Sequence, residues 1–212
     1  MMDRSIQIDT FSRITRVSRE TITSLVIYED ILIKSNKNLN LIGRSTENQI
    51  WIRHFLDSFQ VIDFIDKNSK TLVDLGSGAG FPGLIIAIGA KDRKIPIKIS
   101  LIEKSPKKVK FLMEIIKTLD LNVEIHNQNV LEMNNINTQD VIVARAFKPL
   151  GKILQLIHNK FLNWKKFFIF LGKTGESELL QASKSWNIEY KQRVSITSRD
   201  SKIIEINNLK KR

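Results

Sequence analysis

The sequence contains no cysteine, only three histidines and no long uninterrupted apolar stretch. The absence of cysteine excludes disulfides, thiolate metal sites and mechanisms that need a cysteine nucleophile, and it fits a reducing cytosol. Three scattered histidines disfavour a catalytic metal site, so we expect no metal. No segment has the apolar length of a membrane span, and the N-terminus lacks a signal-peptide core. We therefore expect a cytoplasmic protein without a membrane contact.

The length and charge of the chain limit its class. Its 212 residues suffice for one sizeable α/β domain with a small extension. A formal net charge of +12 favours a polyanionic partner such as nucleic acid. The chain is also crowded with Ile, Asn and Lys, a bias that can arise without selection for binding. Charge alone leaves both interpretations open.

Glycine is scarce, with nine residues in the chain, yet four of them fall in the stretch 76–83. An apolar run that carries one carboxylate, Asp74, precedes these glycines, and Pro82 leads into a second apolar run. This pattern predicts a buried strand, a tight turn and a helix opened by proline. Glycines allow positive φ and close approach of backbone N–H groups, and a helix N-terminus attracts anions. The stretch is predicted to bind a nucleotide-type cofactor.

The position of Asp74 distinguishes between two cofactors. Gly78, Gly80 and Gly83 match G-x-G-x-x-G, the dinucleotide pattern, which is weak evidence alone. A carboxylate two residues before Gly76 would repel a pyrophosphate but suits a ligand that has a cationic amino group. The resulting D-x-G-x-G-x-G resembles the first motif of class I S-adenosylmethionine-dependent methyltransferases. An ordinary strand-to-helix turn remains the alternative.

Further candidates follow the next predicted strands. Glu103 lies 20 positions after Gly83, where a carboxylate that binds ribose hydroxyls is expected at the end of the second strand. Lys107 and Lys108 fall in the first turn of a predicted helix, where cations are disfavoured, so an external anion is a plausible reason for them. Arg145 follows the fourth strand, at the edge where open α/β sheets bind ligands.

Hydrophobic periodicity predicts the remaining elements. Residues 3–40 read as helical, and Thr46 with Gln49 forms a capping-box pattern for another helix. In that helix Arg53 and Asp57 are spaced for a surface ion pair. The basic tail 210–212 is expected to fray. Seven strands are predicted near 72–75, 95–102, 121–126, 139–144, 166–171, 190–196 and 203–206.

Several blocks together resemble one family, the bacterial small-subunit ribosomal RNA guanine-N7 methyltransferases, also called glucose-inhibited division protein B. The resemblance covers about residues 20–206. The R-H-x-L-D-S block and the G-F-P-G ending of the glycine stretch are specific to it, whereas D-x-G-x-G-x-G is shared by many methyltransferases. The blocks occur in the expected order and spacing at 39–41, 53–58, 74–83, 107–112 and 145–147.

The resemblance implies a Rossmann-like class I methyltransferase fold of the α/β class. It has a seven-stranded, mostly parallel sheet with the last strand antiparallel. A small N-terminal helical region, 1–66, would pack on a cofactor-binding domain, 67–212. The family binds S-adenosylmethionine at positions that correspond to Gly76, Phe81, Val130, Leu131 and Arg145. Together with the residue analysis, the predicted cofactor contacts are Asp74, Gly76, Gly78, Phe81, Glu103, Val130, Leu131 and Arg145.

The implied reaction is methyl transfer to N7 of a guanine in 16S ribosomal RNA, within the small subunit or an assembly intermediate. N7 carries a lone pair and no proton, so direct displacement needs no general base, and catalysis would rest on proximity. After the fifth predicted strand the family has the order Lys-Gly, whereas this chain has Gly172-Lys173. The candidates for a catalytic role are Arg145, His54 and Arg53. We expect the protein to be a monomer. The predicted RNA contacts are Arg53, His54, Lys107, Lys108 and Lys173.

Three other functions are compatible with parts of the sequence. A small-molecule methyltransferase would use the same cofactor and would need no basic surface. A nicotinamide-dependent oxidoreductase would use G-x-G-x-x-G, and Asp74 counts against it. A non-enzymatic RNA-binding protein could retain a cofactor fold.

Overall fold

Seven strands form one mixed sheet in the computed structural model, which describes residues 2–134, 136 and 138–212. Their order across the sheet is β3-β2-β1-β4-β5-β7-β6. The five strands β1 to β5 are parallel, and β7 runs antiparallel to both of its neighbours. The predicted sheet is therefore confirmed. The strands are β1 Thr71–Leu75, β2 Lys98–Ile102, β3 Val123–His126, β4 Gln139–Arg145, β5 Trp164–Leu171, β6 Trp186–Ser195 and β7 Ser198–Lys211.

Helices cover both faces of the sheet and also form the N-terminal region. Among the described residues, no helix is both long and apolar enough to cross a membrane. An irregular helical segment over 44–64 combines two 3₁₀ stretches, a π-helical stretch (Trp51–Leu56) and the short α3 (Asp57–Phe59). The other helices are α1 Arg4–Thr15, α2 Arg19–Leu39, α4 Gly83–Asp92, α5 Pro106–Thr118, α6 Leu150–Lys160 and α7 Gly175–Ala182.

The sheet is buried on both faces because successive side chains of a strand point to opposite sides. Leu72 of β1 belongs to the apolar core beneath α4 and α5, whereas Val73 belongs to the core beneath α6 and α7. Val143 and Ala144 of β4 divide between the same two cores. This explains why the central strands read as nearly continuous apolar runs.

The N-terminal helices share a core with the sheet. Phe11 of α1 makes edge-to-face contacts with Trp51 at 5.4 Å and Phe59 at 5.5 Å between ring centroids. These rings lie in the same buried cluster as Leu72 and Leu84. The N-terminal helices thus pack on the sheet through an apolar interface.

Three local predictions differ from the structure. Thr46 lies inside a 3₁₀ stretch that begins at Arg44, so it does not cap a helix. The second strand begins at Lys98 rather than at residue 95. The C-terminal tail does not fray, because Lys210 and Lys211 pair with Asn187 and Trp186 in a long β6–β7 ribbon.

Tyr28 of α2 connects the N-terminal region to the glycine stretch through a buried hydrogen bond. Its side chain is fully buried, and its hydroxyl donates a hydrogen bond to the carbonyl oxygen of Ala79. At Gly80 a Cβ atom would collide with that hydroxyl and with Leu84, so only glycine fits beneath the ring.

Replacing Tyr28 with phenylalanine leaves the buried carbonyl of Ala79 without its partner. We expect Tyr28→Phe to lower the free energy of unfolding by about 1–3 kcal/mol, measured by urea denaturation. Tyr190→Phe is the matched control, because Tyr190 is 44% exposed. Its effect should stay within about 0.5 kcal/mol. Equal effects of the two substitutions would contradict the structural role of the Tyr28 hydroxyl.

Candidate cofactor site

A cleft of about 440 Å³ opens at the carboxyl edge of the parallel strands. It lies above the ends of β1, β2 and β4, where ligands of open α/β sheets bind. We call it the cofactor cleft. It is lined by the predicted contacts Gly76, Gly78, Phe81, Glu103, Val130, Leu131 and Arg145, and by Leu41, Ile42, Gly43, His54, Ser77, Ala79, Ile102, Lys104, Lys108, Gln128, Asn129, Ala146, Phe147 and Lys148.

The glycines after β1 have backbone conformations that other residues adopt at a cost. Gly76 has φ of 71°, and the ring of Phe147 occupies the space that a Cβ atom there would need. Gly78 has φ of 55°, and a Cβ atom there would contact only the carbonyl oxygen of Gly76, at 3.7 Å. The backbone at Gly78 is therefore open towards the cleft, as close approach to a ligand requires.

Glu103 lies at the end of β2, and its carboxylate faces the glycine stretch. One carboxylate oxygen accepts a hydrogen bond from the N–H of Gly78 at 2.9 Å, and the other accepts one from the N–H of Ser105 at 2.8 Å. An ionised carboxylate has about four acceptor positions, so two remain for ribose hydroxyls. Asn127 supports the same turn by donating to the carbonyl oxygens of Glu103 and Lys104.

Asp74 is the one predicted cofactor contact that does not line the cleft. Its side chain is fully buried at the end of β1, and Oδ2 accepts a hydrogen bond from the N–H of Gly83 at 3.0 Å. Oδ1 is buried without a hydrogen-bond partner among the described residues. Burial raises the pKa of Asp74 to about 7, against the opposing hydrogen bonds from Gly83 and Ser77. Asp74 therefore fixes the start of α4 from beneath the glycine stretch.

Arg145 joins the end of β4 to the helical segment 44–64. One terminal nitrogen, Nη2, lies 2.7 Å from the carbonyl oxygen of Arg53 and 2.9 Å from Nδ1 of His54. The other, Nη1, donates to Ser58 Oγ at 3.1 Å and lies 3.6 Å from a carboxylate oxygen of Asp57. Burial lowers the pKa of Arg145, and the nearby Asp57 opposes that shift.

His54 is held as a neutral ring with both nitrogens engaged. Arg145 is a donor only, so Nδ1 accepts and the ring proton lies on Nε2, which donates to Thr46 Oγ1 at 2.9 Å. Thr46 in turn donates to the carbonyl oxygen of Gly43 at 2.7 Å. The ring stacks on Phe81 at 5.1 Å. Burial, with Arg145 and Arg53 nearby, lowers the pKa of His54 to about 3.

The predicted surface ion pair between Arg53 and Asp57 is wrong. Arg53 is exposed, whereas Asp57 is buried and its Oδ1 accepts hydrogen bonds from Ser195 at 2.7 Å and Thr197 at 2.9 Å. Those two residues belong to the turn between β6 and β7. Asp57 therefore connects that turn to Arg145, a long-range contact that helical spacing could not reveal.

The predicted RNA contacts are divided between two places. Lys108 lines the cofactor cleft, and Lys107 is exposed beside it at the start of α5. Arg53 is exposed near the end of β4. Lys173 lies away from the cleft, after β5, and pairs with Asp200 at 3.7 Å.

Two aromatic residues beside the glycine stretch, Phe147 and Tyr28, were not predicted from the sequence. No spacing rule indicates that the ring of Phe147 fills the space above Gly76. Residue 28 lies within the stretch 3–40, whose periodicity predicts only helix. In both cases the signal was a glycine whose missing side chain makes room for a distant aromatic ring.

Comparison with known proteins is consistent with this geometry. The family model described as rRNA small subunit methyltransferase G matches residues 21–207. The chain belongs to this family. A relative named ribosomal RNA small subunit methyltransferase G from Pelagibacter ubique is 38% identical over 198 residues, which cover 92% of each chain. One of the same name from Rickettsia felis is 37% identical over 92% of this chain and 97% of its own.

A solved structure supports the fold. A SAM-dependent methyltransferase from Aquifex aeolicus superposes with a TM-score of 0.57 at 18% identity, covering 82% of this chain and 97% of that one. The predicted family and fold are confirmed, and S-adenosylmethionine is the methyl donor of this class.

The neutral state of His54 predicts how the free energy of unfolding depends on pH. The pKa is about 3 in the folded chain and 6.5 in an unperturbed histidine, so unfolding takes up a proton between these values. The contribution of the neutral ring to the free energy of unfolding is fully present above pH 6.5. It is lost as the pH falls, by up to about 1.4 kcal/mol per pH unit. Asparagine keeps an acceptor for Arg145 but does not titrate. His54→Asn should therefore reduce the loss of unfolding free energy between about pH 7 and pH 5.

The measurement is urea denaturation at both pH values. His158→Asn is the control, because His158 is exposed on α6 and should leave the wild-type slope unchanged. A His54→Asn slope equal to that of wild type would mean that His54 is not held neutral.

Proposed function

We propose that this protein transfers the methyl group of S-adenosylmethionine to N7 of a guanine in 16S ribosomal RNA. The observation that carries the proposal is the chemistry of the cofactor cleft. Among the described residues that line it, the one carboxylate, Glu103, accepts hydrogen bonds from backbone N–H groups on both oxygens, and cations lie at the rim. The only histidine that lines it is neutral with both ring nitrogens engaged. Such a site suits a nucleophile that has no proton to lose.

Four features in and beneath the cleft fit the cofactor. The carboxylate of Glu103 has free acceptor positions at the end of β2, where ribose hydroxyls are expected. The open backbone at Gly78 admits a close ligand. The unpaired Oδ1 of Asp74 supplies negative potential beneath the glycine stretch, which suits the ammonium group of the methionine part. Val130 and Leu131 provide an apolar wall for the adenine.

The reaction requires position more than acid–base chemistry. When bound, S-adenosylmethionine supplies a methyl group on a sulfonium sulfur, which keeps the bonding electron pair as the methyl leaves. Guanine N7 donates its lone pair to the methyl carbon, and no proton moves. The chain contributes by holding the two reactants in line, an effect that can supply about 7–11 kcal/mol in well-oriented reactions. Arg145 and His54 keep the rim of the cleft in place through the segment 44–64.

Contacts to the RNA backbone would come from the exposed cations around the cleft. Lys107, Lys108 and Arg53 lie at or beside it, and we propose that they bind phosphates. Phosphate contacts position the RNA without reading its sequence, so the shape of the small subunit would select the guanine. Lys173 would contribute from a separate place on the same edge, since it follows β5.

The decisive assay uses tritiated methyl donor with small ribosomal subunits, naked ribosomal RNA or a panel of small molecules. We expect label in 16S RNA, at a position where reduction and aniline treatment cleave the chain, a reaction specific to N7-methylguanine. Label that resists this cleavage would exclude N7. Label only in small molecules would support the alternative of a small-molecule methyltransferase.

Asp74 makes the affinity for the cofactor depend on pH. Its pKa is raised to about 7 by burial, and a bound ammonium group nearby favours the ionised carboxylate. Binding should then release a proton from Asp74, and affinity should rise with pH by up to about tenfold per pH unit below 7. Asp74→Asn should remove this part of the dependence while keeping an acceptor for Gly83.

Calorimetry in buffers of different ionisation enthalpy measures the proton release. At about pH 6 the amino group of the cofactor is protonated before and after binding, so the difference in proton release between wild type and Asp74→Asn reports residue 74. Identical proton release by the two proteins would show that the protonation of Asp74 does not change when the cofactor binds.

A further inference from the structure

A second cavity of about 300 Å³ adjoins the cofactor cleft. It lies among the ends of β4 and β5 and the turn between β6 and β7. Arg145 and Ala146 line both cavities. Ala146 has φ of 49°, a left-handed conformation that is unfavourable for alanine, so the backbone is strained where the two cavities meet.

The order of the strands fixes what each cavity faces. Along the sheet edge, Val130 follows β3, Glu103 follows β2, the glycine stretch follows β1 and Arg145 follows β4. With the cofactor bound as proposed, its adenine and ribose lie towards β3 and β2, and its methionine end lies towards β1 and β4. The second cavity is next in that order, since Gly172 follows β5.

We propose that the second cavity receives the target guanine, turned out of the RNA. The inference rests on the proposed function, because it assumes that the methyl group lies at the β4 end of the cofactor cleft. Enzymes that modify a base take it out of its stack into a pocket. Phe170 supplies an aromatic side chain in the lining, and exposed Arg53 is placed for a neighbouring phosphate.

The polar groups of the cavity suit guanine better than adenine. Asp57 is the one carboxylate in the lining; its Oδ2 lies 3.6 Å from Nη1 of Arg145 and receives no hydrogen bond from the described residues. Ser195 and Thr197 donate to its Oδ1, which holds the carboxylate in one orientation. Guanine presents N1–H and N2–H donors to such an acceptor, whereas N1 of adenine is itself an acceptor. The structure therefore assigns Asp57 as the acceptor for this edge of the base.

Two glycines offer a matched test of the cavity. A Cβ atom added to Gly172 or to Gly151 would meet no atom within 4 Å, and neither residue has a left-handed backbone. Gly172 lines the second cavity, whereas Gly151 is on α6 and lines neither of the two. Gly172→Leu adds a large side chain at the lining of the second cavity, and Gly151→Leu makes the same substitution elsewhere.

Three quantities are measured for each protein: cofactor affinity by calorimetry, co-sedimentation with small subunits, and the rate of label transfer to 16S RNA. Gly172→Leu should keep the first two and lower the rate by at least about 100-fold, because the base no longer reaches the methyl group. Gly151→Leu should match wild type in all three. Ser201→Leu, which enters the cavity from β7, repeats the test if Gly172→Leu does not fold.

Three results would overturn the inference. One is a wild-type rate for Gly172→Leu. Another is a parallel loss of cofactor affinity, which would make the second cavity part of the cofactor cleft. The third is loss of co-sedimentation, which would make it part of the docking surface. Failure of the proposed function is distinct, since wild type and Gly151→Leu would then also leave 16S RNA unlabelled.

Discussion

The architecture of the site depends on the largely buried guanidinium of Arg145, whose side chain is 17% exposed. It lies at the end of β4 and binds the carbonyl oxygen of Arg53, the ring of His54 and the hydroxyl of Ser58, with Asp57 as its counter-ion. A buried charge is costly unless it is paired and fully hydrogen-bonded. The segment 44–64 meets that requirement, and its π-helical stretch turns the carbonyl groups of Arg53 and His54 towards the arginine. The need to pair and hydrogen-bond this one cation therefore determines the structure of the rim of the cofactor cleft.

The same ion pair connects parts of the chain that are far apart in sequence. Asp57 accepts hydrogen bonds from the hydroxyl groups of Ser195 and Thr197, so the β6–β7 turn is attached to the segment that carries His54. His54 in turn stacks on Phe81 of the glycine stretch. The cofactor cleft and the second cavity thus share a wall, and a change at the second cavity can reach the cofactor cleft through few contacts.

Asp74 illustrates how the site retains an unfavourable group. A buried carboxylate with an unpaired oxygen destabilises the fold, and its raised pKa expresses that cost. The N–H of Gly83 offsets only part of it. Strained or unsatisfied groups persist where the surrounding structure holds them, and they concentrate at functional sites. A ligand cation near Asp74 would remove the penalty only in the bound state, which converts the cost into affinity.

Local pattern by itself determined the strands, the glycine stretch and the position of Glu103 after the second strand, because strand periodicity, positive φ and the spacing from loop to strand end act over short stretches of chain. Tertiary structure decided the partners of Asp57, the closeness of Phe147 to Gly76 and the burial of Asp74. Helical spacing paired Asp57 with Arg53, four residues away, but the fold pairs it with Arg145, Ser195 and Thr197. A carboxylate binds the donors that surround it after burial, and those donors are brought together only when distant strands meet at one edge of the sheet.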